Sequence, residues 1–310
     1  MTARGKSAHT VGVTDLRDHA AATLSTADAA VAAVAAADAA ARAAAVEVRE
    51  LTTQRELDDV YRMYNEIWRP DPTNPPVTSE LLRALSKAGN YVSGAFDAGT
   101  LVGACVGFFG APVDGALHSH IAGVSTAAQG RSVGFALKLH QRAWSLLRGV
   151  SVVAWTFDPL VRRNAYFNIV KLAASPAEYL PNFYGDMHDA INGGDDSDRL
   201  LVRWQLESAA VIAACSGSTT AADAERERGN GAAVALGVDV DGKPERGTSD
   251  AETLLVAVPA DIEALRPRDP DAAKQWRAAV RESLSALLND GARVTGFDRA
   301  GWYVLRRGLR

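Results

Sequence analysis

The segment from Gln129 to Gly134 has the residue types and spacing of an anion-binding loop. It follows an apolar, strand-like run that ends at Val124 and opens an amphipathic run that begins near residue 132. At such a junction several backbone N–H groups point to one place at the positive end of a helix dipole. Gly130 and Gly134 leave room for a ligand or for close packing of helix and strand. The pattern is typical of a pyrophosphate site, and also of an ordinary tight turn.

Two histidines lie on the strand that leads into this loop. His118 and His120 are two residues apart, so a strand places both side chains on one face. An imidazole can take up a proton near neutral pH. We therefore select His120 as the candidate base, while a hydrogen-bonded histidine within a sheet is the alternative.

Polar residues also follow the next buried strand of the chain. Arg162, Arg163 and Asn164 lie near its end, where ligands commonly bind to open sheets. An arginine there pairs with a substrate carboxylate or a phosphate, or belongs to a solvated turn. Further along, Asn182 and Tyr184 either line a substrate pocket or close a loop.

Hydrophobic periodicity and turn signals predict the elements that must position these residues. Strands are predicted at 46–51, 91–96, 101–109, 117–124, 152–157, 178–184, 199–206 and 253–258, with a hairpin at 292–306. Helices are predicted from the capping box Thr53-x-x-Glu56 to before Pro70, at 78–88, at 132–148, near 163–173 and at 270–290. This order predicts an α+β fold with a mixed, mostly antiparallel sheet flanked by helices and a C-terminal α/β module.

Composition divides the chain into four parts. Residues 1–45 form an Ala-rich, low-complexity extension, helical or partly disordered, with 17 alanines between positions 20 and 45. The main domain is predicted at 46–210 and the C-terminal module at 253–310. The Gly-, Ser- and charge-rich stretch at 217–252 is predicted as a linker or a loose hairpin.

Charge and cysteine content exclude several classes of protein. The 310 residues contain 33 Lys and Arg against 37 Asp and Glu, a net charge of −4, so a nucleic-acid partner is not expected. The two cysteines, Cys105 and Cys215, have no zinc-site spacing, so we expect no metal and a reducing, cytoplasmic location. No apolar run reaches the length that a membrane span needs.

The loop and the order of elements around it resemble the GCN5-related N-acetyltransferase (GNAT) superfamily. Its acyl-CoA loop has the motif Gln/Arg-x-x-Gly-x-Gly/Ala, which Gln129 to Gly134 follow except that Ser132 stands at the fourth position. The resemblance implies an α+β GNAT-like domain with acetyl-CoA or succinyl-CoA as co-substrate and no metal. It implies cofactor contacts at Val124, Gln129, Gly130, Arg131, Ser132, Val133, Gly134 and Asn164.

A longer resemblance, over about 46–306, is to a GNAT subgroup associated with N-acylamino acid metabolism, including N-succinylation. It is carried by 156–168, Tyr179–Gly185, Ser197–Leu200 and Val256–Asp261. It implies an acyltransferase that acetylates or succinylates the amine of a small molecule, an amino acid favoured. Acceptor contacts are then expected at Arg162, Arg163, Asn182 and Tyr184. A non-catalytic acyl-CoA-binding or regulatory protein is the alternative, and the C-terminal module either shapes the acceptor pocket or forms a homodimer.

The resemblance also defines catalytic roles. The superfamily often protonates the departing CoA thiolate with a tyrosine two residues before a lysine, but here Ile169 precedes Lys171. Tyr166, one helical turn earlier, is the candidate acid, with a bound water as the alternative. His120 is the expected base, and a backbone N–H near Val124 is expected to stabilise the oxyanion.

Overall fold

The computed structural model describes residues 14–71, 75–185 and 195–308, with side chains from residue 27 onward. Its first sheet has seven strands in the order β1-β2-β3-β4-β5-β7-β6. Only the β4–β5 pair in this sheet is parallel. The strands are β1 (Glu47–Glu50), β2 (Tyr91–Asp97), β3 (Thr100–Phe109), β4 (Ala116–Val124), β5 (Val152–Phe157), β6 (Ser175–Leu180) and β7 (Arg199–Gln205).

Helices cover both faces of this sheet, which confirms the predicted α+β class. They are α1 (Thr14–Ala43), α2 (Gln54–Trp68), α3 (Ser79–Lys87), α4 (Val133–Leu146) and α5 (Arg162–Ala165), which continues into a π-helical turn (Tyr166–Lys171). The predicted capping box opens α2, because the Thr53 side chain and Glu56 bond each other's backbone. Alternate β3 residues separate the faces: Ala104 packs with α2 and α3, whereas Cys105 packs with α4.

The Ala-rich segment belongs to this folded body. Helix α1 packs against α4, and Ala30, Ala33 and Ala37 are buried in the contact. Small side chains bring the two helices close together, so α4 lies between α1 and the sheet. Polar residues of α4 on its sheet side, among them Lys138, Gln141 and Arg142, are buried as well.

The second sheet has five strands in the order β11-β12-β10-β8-β9. Its elements are α6 (Ala209–Cys215), α7 (Ala224–Gly229), β8 (Ala233–Val238), β9 (Pro244–Arg246), β10 (Thr253–Ala257), α8 (Ile262–Arg268), α9 (Pro270–Asn289), β11 (Arg293–Asp298) and β12 (Trp302–Arg306). Within 217–252, β8 and β9 form a hairpin, and β8 also pairs with β10. This stretch therefore supplies two strands of the second sheet. Within the described ranges, no helix has the length and apolar character needed to cross a bilayer.

Four buried charges join the two sheets. Asp158, just after β5, and Asp195, before β7, each bind both Arg266 of α8 and Arg277 of α9. Arg277 contributes a 2.9 Å contact to each carboxylate. Burial alone would raise the pKa of Asp158, but the two arginines hold it well below its usual range. Ends of the first sheet are thus fixed to helices of the second.

Replacing Arg277 by Met should destabilise the protein by about 3–5 kcal/mol, because two buried carboxylates then share one arginine. The measurement is the free energy of unfolding in urea. The matched control is Arg246→Met, which removes an exposed pair with Glu282 and should cost at most about 1 kcal/mol. Equal losses in the two variants would show that the buried cluster does not hold the sheets together.

Candidate active site

The first sheet opens between β4 and β5. The two strands pair only where Ala116–His118 lie beside Val152–Ala154, although β4 continues to Val124 and β5 to Phe157. Along 119–124, β4 therefore has β3 on one side and no described strand on the other. We call the space between 119–124 and 155–157 the β4–β5 gap. Its β4 edge presents backbone N–H and C=O groups that no strand occupies.

The loop at 129–134 lies at the open end of this gap. Gly130 and Ser132 have left-handed backbone angles, φ 79° and 63°, and α4 then begins without a side-chain cap. The Ala128 and Gln129 amides donate to the carbonyls of Ser125 and Thr126, before the loop. The amides of Phe135 and Ala136 both donate to the Ser132 carbonyl. The amides of 130–134 have no acceptor among the described residues. Free amides at the start of a helix are the arrangement that binds anions in proteins, and we call these five amides the cradle.

The side chains of the loop do not contribute to the cradle. Arg131 pairs with Asp97 at 2.7 Å and donates to the carbonyls of Ala44 and Ala45, 3.3 and 3.4 Å away. Its guanidinium therefore holds the end of α1 and the β2–β3 turn. Val133 is buried, whereas Gln129 and Ser132 are exposed. The cradle is consequently built from backbone amides, and it does not depend on a cationic side chain.

The candidate base lies on the α2–α3 face of β4. His120 is an extra residue in β4, because Ser119 and Ile121 pair with consecutive residues of β3. Both His118 and His120 contact the Phe108 ring, at centroid distances of 5.0 and 5.8 Å, so the prediction that they share a face is confirmed.

Electrostatics keeps both imidazoles neutral. Burial lowers the pKa of His118, and the neighbouring His120 and Lys138 lower it further. Burial also lowers the pKa of His120, against a hydrogen bond to the backbone of Pro76. A ring N–H that donates to this carbonyl leaves the second ring nitrogen as a proton acceptor.

Of the two predicted pocket residues in the loop after β6, Tyr184 lies close to β5 and Asn182 closes the loop. The Tyr184 hydroxyl is 3.2 Å from Thr156 Oγ1, and the ring is partly exposed. Trp155 and Ser119 both contact Lys138 on the α4 face of the sheet. Thr156 lies on the opposite face of β5, and the histidines lie on the opposite face of β4. The Asn182 side-chain Oδ1 accepts from the Ser197 backbone N–H at 3.1 Å. Tyr184 therefore lies on the same side of the sheet as the histidines.

The arginines after β5 bind the C-terminal half of the chain. Arg162 donates to the Val258 carbonyl at 2.9 Å and packs against Gly301. Arg163 forms a two-pronged pair with Glu263. Both guanidinium groups are thus used in packing, and their contacts do not favour the predicted role in substrate binding. Asn164 is half-buried beside them.

The candidate acid is also covered. The Tyr166 ring lies beneath the guanidinium of Arg299, 4.6 Å from the ring centroid, and Ile169 is buried in the core. These contacts favour a packing role for Tyr166. Sequence reasoning missed a buried polar group at the gap, Lys138, because a lysine in a predicted amphipathic helix is assigned to its solvent face. Among the described residues, no group of three or more His, Cys, Asp or Glu is placed to hold a metal.

No family model and no curated protein matches the chain. It is similar to solved acetyltransferase structures. One is the ribosomal-protein-S18-alanine N-acetyltransferase from Escherichia coli, with 14% identity, a TM-score of 0.41, and coverage of 53% of this chain and 96% of that one. A second is a GNAT-family acetyltransferase from Desulfovibrio desulfuricans, with 17% identity, a TM-score of 0.43, and coverage of 52% of this chain and 99% of that one. A third is the acetyltransferase yncA from Salmonella typhimurium, solved with acetyl-CoA, with 16% identity, a TM-score of 0.42, and coverage of 53% of this chain and 95% of that one.

Replacing His120 by Asn should raise the pKa of His118, because the charge of His120 is one of the causes that lower it. The measurement is a pH titration of the imidazole C–H resonances by NMR. In the unchanged protein both histidines should titrate below pH 6.5, since burial disfavours the imidazolium. Titration of either residue above that value would show that burial does not lower its pKa.

Proposed function

We propose that this protein is an acyl-CoA-dependent N-acyltransferase, which moves an acyl group from CoA to the amine of a small molecule. The observation that carries the proposal is the position of the free amides of 130–134 at the open end of the β4–β5 gap. A pyrophosphate binds such amides at a helix N-terminus without cationic side chains. The gap then provides a path from that anion into the sheet.

The unpaired edge of β4 fits the pantetheine arm of CoA. An extended chain with amide groups can add to a free strand edge through backbone hydrogen bonds. From Val124 to Ser119 the edge has six residues, and its five steps of about 3.3 Å span about 16 Å, comparable to the extended arm. A pyrophosphate in the cradle thus brings the thioester to the closed end of the gap.

The acceptor amine would approach from the α2–α3 face. There, neutral His120 takes the proton of the attacking amine, and Tyr184 and Thr156 line the entrance. The tetrahedral oxyanion is stabilised by an amide of the β4 edge. Because Val124 lies beside Gly134 in the cradle, this amide is nearer the His120 bulge than to Val124. Collapse of the intermediate gives the N-acyl product and CoA.

The finer assignment rests on the sequence resemblance. The subgroup associated with N-acylamino acid metabolism supports an amino acid acceptor, an acetyl or succinyl donor and a cytoplasmic location. We include a homodimer in this proposal, with its contact on the C-terminal sheet. Tyr184 is the member of the predicted acceptor set whose contacts support such a role.

Calorimetric titration with CoA, acetyl-CoA and succinyl-CoA tests binding, and thiol release with a panel of amino acids tests transfer. Tight binding with amine-dependent release supports the acyltransferase and identifies the donor. Binding without release would instead support a non-catalytic acyl-CoA-binding protein, in keeping with Ile169 and the covered Tyr166. No binding to any of the three would remove the proposal.

Gly134→Glu should weaken CoA binding by about 100-fold, or ~2.7 kcal/mol, because a carboxylate then faces the pyrophosphate. The fold should persist, since a Cβ at this position meets only Val124 at 3.8 Å. Gly229→Glu is the matched control: its Cβ has no neighbour within 4 Å, and it lies on α7. Unchanged affinity in Gly134→Glu, measured by calorimetry, would show that the loop is only a turn.

A further inference from the structure

Lys138 is buried at the closed end of the β4–β5 gap, with no carboxylate partner among the described residues. Its Nζ donates to Ser119 Oγ at 2.8 Å and to Gln141 Oε1 at 3.1 Å, and it lies 3.8 Å from the centroid of the Trp155 ring. Ser119 and Trp155 are the first residues of β4 and β5 beyond their last backbone pair. The ammonium group therefore bridges the two strands at the point where they separate.

The surroundings of this ammonium are neutral. Gln141 donates to Cys105 Sγ at 3.5 Å, and Cys105 Sγ lies 3.8 Å from Ser119 Oγ, so four polar side chains form a closed ring. A buried cation stabilised only by dipoles is costly. Burial accordingly lowers the pKa of Lys138 to about 8. The site is thus arranged to stabilise a negative charge that arrives in the gap.

We propose that Ser119, supplied by Lys138, gives a proton to the CoA thiolate as it leaves, an inference that rests on the proposed function. As the tetrahedral intermediate collapses, the C–S bond breaks and its electron pair goes to sulfur. The hydroxyl proton of Ser119 moves to sulfur and forms the thiol, and Ser119 takes a proton from Lys138 Nζ. Solvent reprotonates the neutral Lys138 after CoA departs, and the proton of the amine goes to His120.

Two other residues near the gap are not suited to protonate the thiolate. Tyr166 is covered by Arg299, and Ile169 has no proton to give. The titratable groups that interact electrostatically with Lys138 are the Cys105 thiol of β3, whose pKa burial raises, and, across the sheet, the His118 imidazole of β4, whose pKa burial lowers. Both are neutral near pH 7, so Lys138 is the cation at the closed end.

The test compares two acetyl donors that differ in their leaving group. Lys138→Met should lower kcat with acetyl-CoA by about 100-fold and change its KM little. With the acetyl thioester of 4-nitrothiophenol, whose thiolate leaves without a proton, kcat should stay within a few-fold of the unchanged protein. Equal losses with both donors, or no loss with acetyl-CoA, would overturn the proposal. Lys171→Met, an exposed lysine of the π-helical turn, is the control and should leave both rates unchanged.

A second variant and a pH profile separate chemistry from folding. Ser119→Ala keeps the ammonium but removes the relay, so it should show the same donor-dependent loss even if Lys138→Met fails to fold. In the unchanged protein, kcat with acetyl-CoA should fall above about pH 8, as Lys138 loses its proton, and kcat with the nitrothiophenyl donor should not. A fall with both donors would assign the titration elsewhere. Absence of turnover in the unchanged protein, by contrast, would overturn the acyltransferase itself.

Discussion

The site depends on the separation of two parallel strands. Backbone groups within a sheet normally pair, and leaving them unpaired costs free energy. Yet β4 and β5 part after three residues each, and three features favour this. The bulge at His120 turns the free part of β4, Lys138 and Trp155 fill the point of separation on the α4 face, and Asp158 fixes the end of β5 to the second sheet. The unpaired edge that results can bind an extended ligand.

Helices of the C-terminal half hold the ends of strands in the first sheet. Arg277 and Arg266 hold Asp158 and Asp195 at the ends of neighbouring strands. A buried ion cluster is weak evidence for net stability, because desolvation offsets most of the attraction. Its effect here is on geometry. Each carboxylate accepts hydrogen bonds from two arginines, and this holds β5 and β7 in positions that keep the gap open.

The Ala-rich helix gives the cradle a comparable constraint. Arg131 reaches back to the carbonyls of Ala44 and Ala45, just after α1, and across to Asp97. One side chain of the loop thereby fixes its own position with respect to a helix and a turn. The favourable interaction of a cation with a helix C-terminus adds to this. The Arg131 side chain is thereby engaged away from the loop amides, which keep their free N–H groups.

Local patterns in the sequence determined much of the fold. Alternation and helical spacing located β2 to β5, α2 and α4, the capping box at Thr53 fixed the start of a helix, and the loop before α4 was identified from its glycines. These features depend on residues close together in the chain. Strand pairing and burial do not, so the tertiary structure alone decided that 233–246 joins a second sheet, that Arg162 binds the C-terminal half, and that Lys138 is buried where two strands part. Lys138 is a buried cation because its face of α4 packs on the sheet between Ser119 and Trp155, and no local spacing encodes that.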